Sequence, residues 1–216
     1  MMPMKLINLV LASALLAAAP AATVLAQPAA PASQGSPSQL VLDNSQRILS
    51  TLEKRRAEFT ADRGKLEQFV SGEFNSMFDR DYAARQVLGR HARGASDADV
   101  KLFADALADS LMRRYGSSLL DFNTKLRVRI KSESTLPRGL GVKVASEMLR
   151  SGGEPIPVDY LMRKSGNSWK VFDVMVEGVS FVQTFRQQFD NELTHKSIKQ
   201  VATELRTGKV QADAGR

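Results

Sequence analysis

The sequence predicts an α+β fold: an antiparallel four-stranded meander sheet with helices packed on one face. Three observations carry this expectation. Apolar residues repeat at helical spacing through the first half of the chain, and they alternate through the second half. The links between the alternating runs, "TLPRGLG", "RSGGEPIP" and "SGNS", are short and rich in turn residues. Helices, then a meander, then a helix again describe segregated elements rather than βαβ units.

Composition bounds the rest. The chain has 216 residues, 43% hydrophobic and 25% charged, the balance of one globular domain. Residues 1–26 stand apart. Lys5 precedes an apolar run from Leu6 to Ala19, and Val24-Leu25-Ala26 supplies compact residues at the positions a signal peptidase reads. The run is shorter than the roughly 18 to 20 residues of a spanning helix, so residues 1–26 are expected to be a cleaved signal peptide. Residues 27–38, rich in Pro, Ala and Ser, are expected to be a flexible linker. Residues 39–210 form the single domain, and 211–216 a disordered tail. There is no cysteine, which excludes disulfides, thiolate metal sites and a cysteine nucleophile. The net charge of +7 favours anionic partners through steering. Outside the cytoplasm, lipid head groups or an acidic partner fit this better than nucleic acid.

The elements follow in order. From Ser38 a helix places Val41, Ile48, Leu49 and Leu52 on one stripe. A second helical stretch carries Leu66, Phe69, Phe74, Met77 and Phe78. Tyr82, Val87 and Leu88 form a further helical set that stops at Gly89. Ser96 opens the clearest helix with "SDAD", a capping box in acidic form, followed by Val100, Phe103, Leu107, Leu111 and Tyr115. It should run to about Ser118. "TKLRVRI" then alternates strictly, Leu126, Val128 and Ile130 against Lys125, Arg127 and Arg129. The basic row, with Lys131, should meet water. Strands follow at "VKVASEML", "VDYLMRK" and "SWKVFDVMVE", the last with Phe172, Val174 and Val176 on one side and Asp173 and Glu177 on the other. Ser180 caps a final helix bearing Phe181, Phe185 and Phe189, and a weaker helix spans about Ile198 to Leu205.

Catalytic chemistry is sparse. His91 and His195 are the two histidines, in a loop and near a helix end, and no H-E-x-x-H, P-loop or G-x-S-x-G is present. Asp173 is expected to pair with a strand arginine such as Arg163, a structural role. A pocket enzyme would need a buried constellation around Asp173, Tyr160 and a strand arginine.

Two segments carry a family resemblance. "FDRDYAARQVLGRH" resembles a helix segment of the MlaC or toluene-tolerance family of periplasmic phospholipid-binding proteins. "VDYLMRKSGNSWKVFDVMVEGVSFVQTFRQQF" resembles that family's most recognisable block, here Tyr160, Trp169, Asp173-Val174, Glu177-Gly178-Val179-Ser180, Arg186 and Phe189. The resemblance spans about residues 40 to 207. Two departures stand out: "GRHARGAS" replaces a tryptophan-containing segment common in the family, and Ser197-Ile198 replaces a Gly-Ile pair.

The resemblance implies a periplasmic, non-catalytic phospholipid carrier that works as a monomer, with bound phospholipid as cargo and no cofactor or metal. It implies an apolar cavity between sheet and helices. It also implies partners at both membranes: an outer-membrane lipoprotein–porin complex and an inner-membrane ABC transporter with an MCE-domain subunit. Such a carrier maintains outer-membrane lipid asymmetry. The physics suits that role. Exposing a methylene to water costs about 0.8 kcal/mol, so two acyl chains cost on the order of 20 kcal/mol. The expected lining is Leu126, Val128, Ile130, Val144, Met148, Tyr160, Met162, Val174 and Val176 on strands, with Met77, Val87, Phe103, Leu107, Leu111 and Phe181 on helices. Its methionines suit adaptable binding. Arg85, Arg138 and Lys143 are candidates for the phosphate. Periodicity does not separate a hollow interior from a filled one, so a ligand-free interaction module with a solid core stays open beside the carrier and the pocket enzyme.

Overall fold

Ser36 starts the first helix. In the computed structural model, which describes residues 35–116, 120 and 126–213, the Ser36 hydroxyl accepts from the Gln39 N–H at 3.2 Å. Pro37 occupies the first turn of α1 (Pro37–Lys54), where its missing N–H costs nothing. The Glu133 carboxylate reaches over from the sheet and accepts from the Ser38 N–H and hydroxyl, at 3.1 and 2.7 Å. A negative charge there also favours the helix dipole. The linker expected to reach residue 38 therefore ends earlier, because Ser36-Pro37 is a helix start. The expected signal peptide lies outside the described residues.

Three more helices follow, each begun by an aspartate or by the preceding turn: α2 (Arg56–Ala61), α3 (Arg63–Met77) and α4 (Arg80–Leu88). Asp62 accepts from the Lys65 N–H and Asp79 from the Tyr82 N–H, both at 3.2 Å. Ser96 caps α5 (Asp97–Tyr115) by accepting from the Asp99 N–H at 3.1 Å. The expected end near Ser118 lies outside the described residues.

The meander is antiparallel throughout: β1 (Arg127–Thr135), β2 (Val142–Leu149), β3 (Ile156–Ser165), β4 (Ser168–Val176) and β5 (Val179–Ser180), in that order across the sheet. Five strands replace the expected four. After Glu177-Gly178 the chain doubles back, so that Val179 and Ser180 pair with Val176 and Met175. Farther along the same strand, Phe78 forms a parallel bridge with Val171, and the Asp79 N–H donates to the Val171 carbonyl at 2.8 Å. Helices α6 (Phe181–His195) and α7 (Ile198–Thr207) close the fold.

A bulge in β4 re-aims one aromatic. The register with β3 shifts between Leu161 and Met162, which places Phe172 as the extra residue. Val174 and Val176 keep the expected face, but Phe172 turns to the other side and meets Tyr82 of α4 edge-on, ring centroids 5.3 Å apart. The helices accordingly reach both sides of the sheet. Val41 of α1 packs on the face of Val142, Val144, Met162 and Val171. On the opposite face α4 approaches β3 and β4, where the Arg163 guanidinium lies over the Tyr82 ring at 4.2 Å and pairs with Asp79. The basic row Arg127, Arg129 and Lys131 is exposed, with Glu147 bridging the latter two. Lys125 lies outside the described residues.

The apolar interior falls into three clusters. The largest joins α4 to α7 around the fully buried Phe103 and Phe189, whose rings meet edge-to-face at 5.6 Å. The second is α1 on the sheet. The third ties Leu52 to Phe59, Leu66 and Leu120. The tail expected to be disordered is docked through Asp213: Ala212 is fully buried, and Asp213 pairs with Arg114. Residues 214–216 lie outside the described residues.

Candidate functional site

The sheet face under α1 is apolar in four successive rows. Strand register aligns Val142 with Met162 and Val171, then Val144 with Tyr160 and Val174. Next come Ile130, Ser146, Val158 and Val176, and last Val128, Met148 and Ile156. Alternation along each strand, reset in β4 by the bulge at Phe172, puts all of these on one side. On β1 the first two rows end in Thr135 and Glu133, and within the third row the Ser146 hydroxyl is satisfied by the Val158 carbonyl at 2.7 Å.

Burial along these rows is graded. The first row is buried beneath Val41. Beyond it the middle of the face stays buried at Val144, Ser146 and Val158, while Tyr160, Val174, Ile130, Val176, Val128, Met148 and Ile156 around them are half-buried. These side chains leave a contiguous apolar strip partly open beside a buried centre.

Tyr160 sits at the midpoint. Burial pushes its phenol pKa up, and a hydrogen bond with Ser45 of α1 pulls the other way. Ser45 is itself buried. This contact, with Val41 and Ser38–Glu133, sets α1 against the sheet.

At the edge of the first row lies a cavity of about 320 Å³. Leu40, Val41 and Asn44 of α1 form one wall, Ser76 and Met77 the end of α3 another, and Met162, Trp169, Lys170 and Val171 the sheet. Its lining is mainly apolar, with Asn44, Ser76, Ser168 and the Lys170 ammonium as the polar members. The Lys170 ammonium donates to the Ser76 carbonyl.

Of the residues expected to line a cavity, the structure gathers Val128, Ile130, Val144, Met148, Tyr160, Met162, Val174 and Val176 on this face, and Met77 beside it. Leu126 precedes β1 and is half-buried. Val87, Phe103, Leu107, Leu111 and Phe181 are elsewhere, packed in or against the α4–α7 cluster. Their spacing marks an apolar stripe correctly but not the neighbour it meets, and here the neighbour is another helix. Val41, Val142, Val158, Val171 and Trp169 were not among the expected lining residues. The period-2 signal was present for Val142 and Val158, whereas the bulge hid Val171.

The basic candidates are dispersed. Arg85 pairs with Asp97, and Lys143 lies 3.4 Å from Asp159 on the opposite face of the sheet. Arg138 is exposed in the β1–β2 turn with φ of 60°. Asp173 does not pair with Arg163, whose partner is Asp79. The buried Asp173 carboxylate instead accepts from the Ser180 hydroxyl at 2.5 Å and the Val182 N–H at 3.0 Å, at the start of α6. Burial raises its pKa, and these hydrogen bonds oppose the shift. Tyr160 and Asp173 therefore occupy opposite faces, and Arg163 is engaged by Asp79, so no constellation for turnover assembles around them. His91 contacts Asp190 at 3.0 Å, and His195 is exposed. Among the described residues no group of three His, Cys, Asp or Glu could hold a metal, and no helix is long and apolar enough to cross a membrane.

A sequence model of the MlaC protein family matches residues 42–207, most of the chain. The chain belongs to the MlaC family. The toluene tolerance protein ttg2D of Pseudomonas putida is 26% identical over 208 residues, covering 92% of this chain and 91% of the relative. The intermembrane phospholipid transport system binding protein MlaC of Haemophilus influenzae is 21% identical over 179 residues, with 82% of this chain and 83% of that one covered. Among solved structures, the phospholipid-binding protein of Ralstonia solanacearum, determined in complex with a phospholipid, superposes with a TM-score of 0.69 at 22% identity. The match covers 79% of this chain and 97% of that one. The MlaC-family fold is thus the one described here, with its antiparallel sheet and flanking helices.

Proposed function

We propose that this MlaC-family chain is a periplasmic phospholipid carrier, exported by a cleaved signal peptide, that holds acyl chains against the apolar sheet face under α1. The observation that carries the reading is the partial opening of that face: a buried row under Val41 beside the cavity, and beyond it a strip in which Tyr160, Val174, Val176, Ile130, Val128, Met148 and Ile156 are half-buried around buried Val144 and Val158. The names of the relatives support it. The H. influenzae protein is the binding protein of a phospholipid transport system, and the R. solanacearum protein was solved with a phospholipid.

The cavity of about 320 Å³ is at the lower end of the roughly 300–1,000 Å³ that holds a drug-sized ligand. A two-chain lipid needs more room. The space comes from α1 and α3 lifting off the sheet, with the half-buried valines, Ile130 and Met148 covered by lipid in their place. The protein works without catalysis, as a monomer, and needs no cofactor beyond its cargo. It passes lipid between an outer-membrane lipoprotein–porin complex and an inner-membrane ABC transporter bearing an MCE-domain subunit, and so maintains outer-membrane asymmetry.

The test is extraction. Purified mature protein is mixed with vesicles containing a fluorescent phospholipid, the vesicles are sedimented, and lipid is counted in the supernatant. Lipid that leaves with the protein in near-stoichiometric amount supports the carrier. Lipid that stays in the pellet at every protein concentration refutes it.

A further inference from the structure

Two turns at the cavity end of the sheet form one exposed tip. In the meander the β1–β2 and β3–β4 hairpins turn at the same end, and the cavity under α1 lies there too, lined by Ser168, Trp169 and Lys170. A Cβ on Gly141 would lie 3.2 Å from the Arg163 Cα, so the β1–β2 turn touches β3. Counting back from the Val142–Met162 pair sets Leu140 level with Lys164.

The β1–β2 turn is held by its own backbone. The Leu136 N–H donates to the Gly141 carbonyl at 2.8 Å, and the Leu140 N–H to the Pro137 carbonyl at 3.3 Å. Within it Arg138 has a φ of 60°, a conformation that glycine adopts freely and arginine only under strain. An arginine held there keeps its charge exposed at a conformational cost. Leu140 is 50% exposed, and it and Val179 are the large apolar side chains most open to solvent among the described residues. Beside it the Lys164 ammonium lies 5.6 Å from the centroid of the Trp169 ring, which is half-buried and also lines the cavity.

Charge separates this tip from the far end of the sheet. Arg138 and Lys164 have no carboxylate partner among the described residues. The carboxylates of the neighbouring elements are engaged: Glu133 by Ser38, Asp79 by Arg163 and Asp159 by Lys143. At the far end Val179 follows Glu177, and exposed Glu154 offsets Arg150. Free cations, an exposed leucine and a tryptophan under a lysine are what an anionic bilayer surface recognises. The apolar chain enters the acyl boundary, the indole sits at head-group level and the cations meet phosphates.

We propose that this tip is the surface by which the chain rests on an anionic phospholipid bilayer, with Leu140 entering the acyl boundary and Arg138 and Lys164 meeting lipid phosphates. Trp169 belongs both to the tip and to the cavity wall, so a lipid leaving the bilayer there has a short apolar path to Met162 and Val171. The proposal rests on the carrier reading, to which it adds the place of contact.

Flotation tests it. The mature chain is mixed at low ionic strength with vesicles of phosphatidylcholine alone or with about one-third phosphatidylglycerol, and the vesicles are floated through a density gradient. Wild type is expected to rise with the anionic vesicles and far less with the neutral ones. A basic residue at such a surface strengthens binding about fivefold, so Arg138→Gly with Lys164→Gln should weaken it on the order of twentyfold. Glycine accepts the turn's φ, so this variant keeps the fold. Leu140→Ser should weaken binding severalfold. Arg127→Gln with Arg150→Gln removes the same charge at the far end and should bind as wild type does. Wild type that never rises with anionic vesicles overturns the proposal, and so does a far-end variant that loses as much as the tip variant. If a variant fails to fold, Trp169, the single tryptophan of the chain, decides in the wild type. A blue shift of its emission on anionic vesicles, reversed by about 0.5 M salt, supports the contact; an unchanged spectrum refutes it. Flotation without extraction of lipid sinks the carrier reading alone, and extraction without flotation sinks the contact alone.

Discussion

Asp173 on β4 accepts a hydrogen bond from the backbone N–H of Val182 on α6, at 3.0 Å. The same carboxylate takes the Ser180 hydroxyl, and Ser180 in turn accepts from the Gln183 N–H at 3.0 Å. One buried acid thereby ties the sheet to the helical cluster. Removing it as Asp173→Ala leaves the Val182 N–H buried and unpaired, a loss of about 1–3 kcal/mol. Urea unfolding is expected to show a lower midpoint at unchanged slope. Asp173→Asn keeps an acceptor and should cost less.

The same residue sets a pH dependence. Burial raises the folded pKa of Asp173 above its ordinary 3.8, so the folded state holds the proton more tightly than the unfolded state. Stability from this group is present below 3.8 and is lost as pH rises from 3.8 to the raised value, then stays level. Glu58, whose pKa is lowered to about 2 by Arg55 and Lys65, and Glu147 and Glu204 act in the opposite sense and lose stability as pH falls. The difference between wild type and Asp173→Asn isolates the aspartate. Wild type should lose stability relative to Asp173→Asn as pH rises through that window, measured by urea titrations at several pH values.

Ser45 and Tyr160 hold α1 to the sheet. Ser45→Ala leaves the Tyr160 hydroxyl without that partner, at about 1–2 kcal/mol. If α1 is the layer that lifts, this variant should take up fluorescent phospholipid faster than wild type in stopped-flow mixing. Uptake at the wild-type rate would place the moving layer elsewhere.

Charge on the sheet face should expel cargo. Ile130 is half-buried, so a lysine there can extend its ammonium to water in the empty protein and leave the fold intact. Among acyl chains the same charge costs about 2.5–3.5 kcal/mol. Ile130→Lys is expected to retain roughly a hundredfold less lipid, while Arg127→Ala on the exposed face should leave retention unchanged.

Gly141 tests the β1–β2 turn. It sits at φ of 135°, and a Cβ there would lie 1.9 Å from the Met162 carbonyl oxygen. Gly141→Ala should destabilise on the order of 3 kcal/mol, read by thermal unfolding.

Much of this fold was legible in the sequence because the period changes where the structure changes. Strict alternation at Val128 and Ile130, and looser alternation at Val142 to Met148, located β1 and β2. Ser96 and Ser180 both cap the helices assigned to them. The reciprocal capping box appears at Ser197–Gln200, on the helix that read as weak. Other features depend on long-range contacts. A bulge moves Phe172 to the far face, which strict alternation does not anticipate. Phe103 and Leu107 show a clear stripe, but a stripe does not say whether a helix or a sheet will cover it. Asp173 finds backbone N–H groups rather than Arg163, and Ala212 finds a groove that exists only once α5 and α6 have packed.

Whether the half-buried sheet face carries phospholipid is decided by what travels with the protein out of the cell. Native mass spectrometry of the mature protein, exported to the periplasm and purified without detergent, addresses it directly. A mass increment that resolves on release to phospholipid is expected. A clean protein mass, persisting after incubation with phospholipid vesicles, would contradict it and leave the face as the surface of a solid-core interaction module.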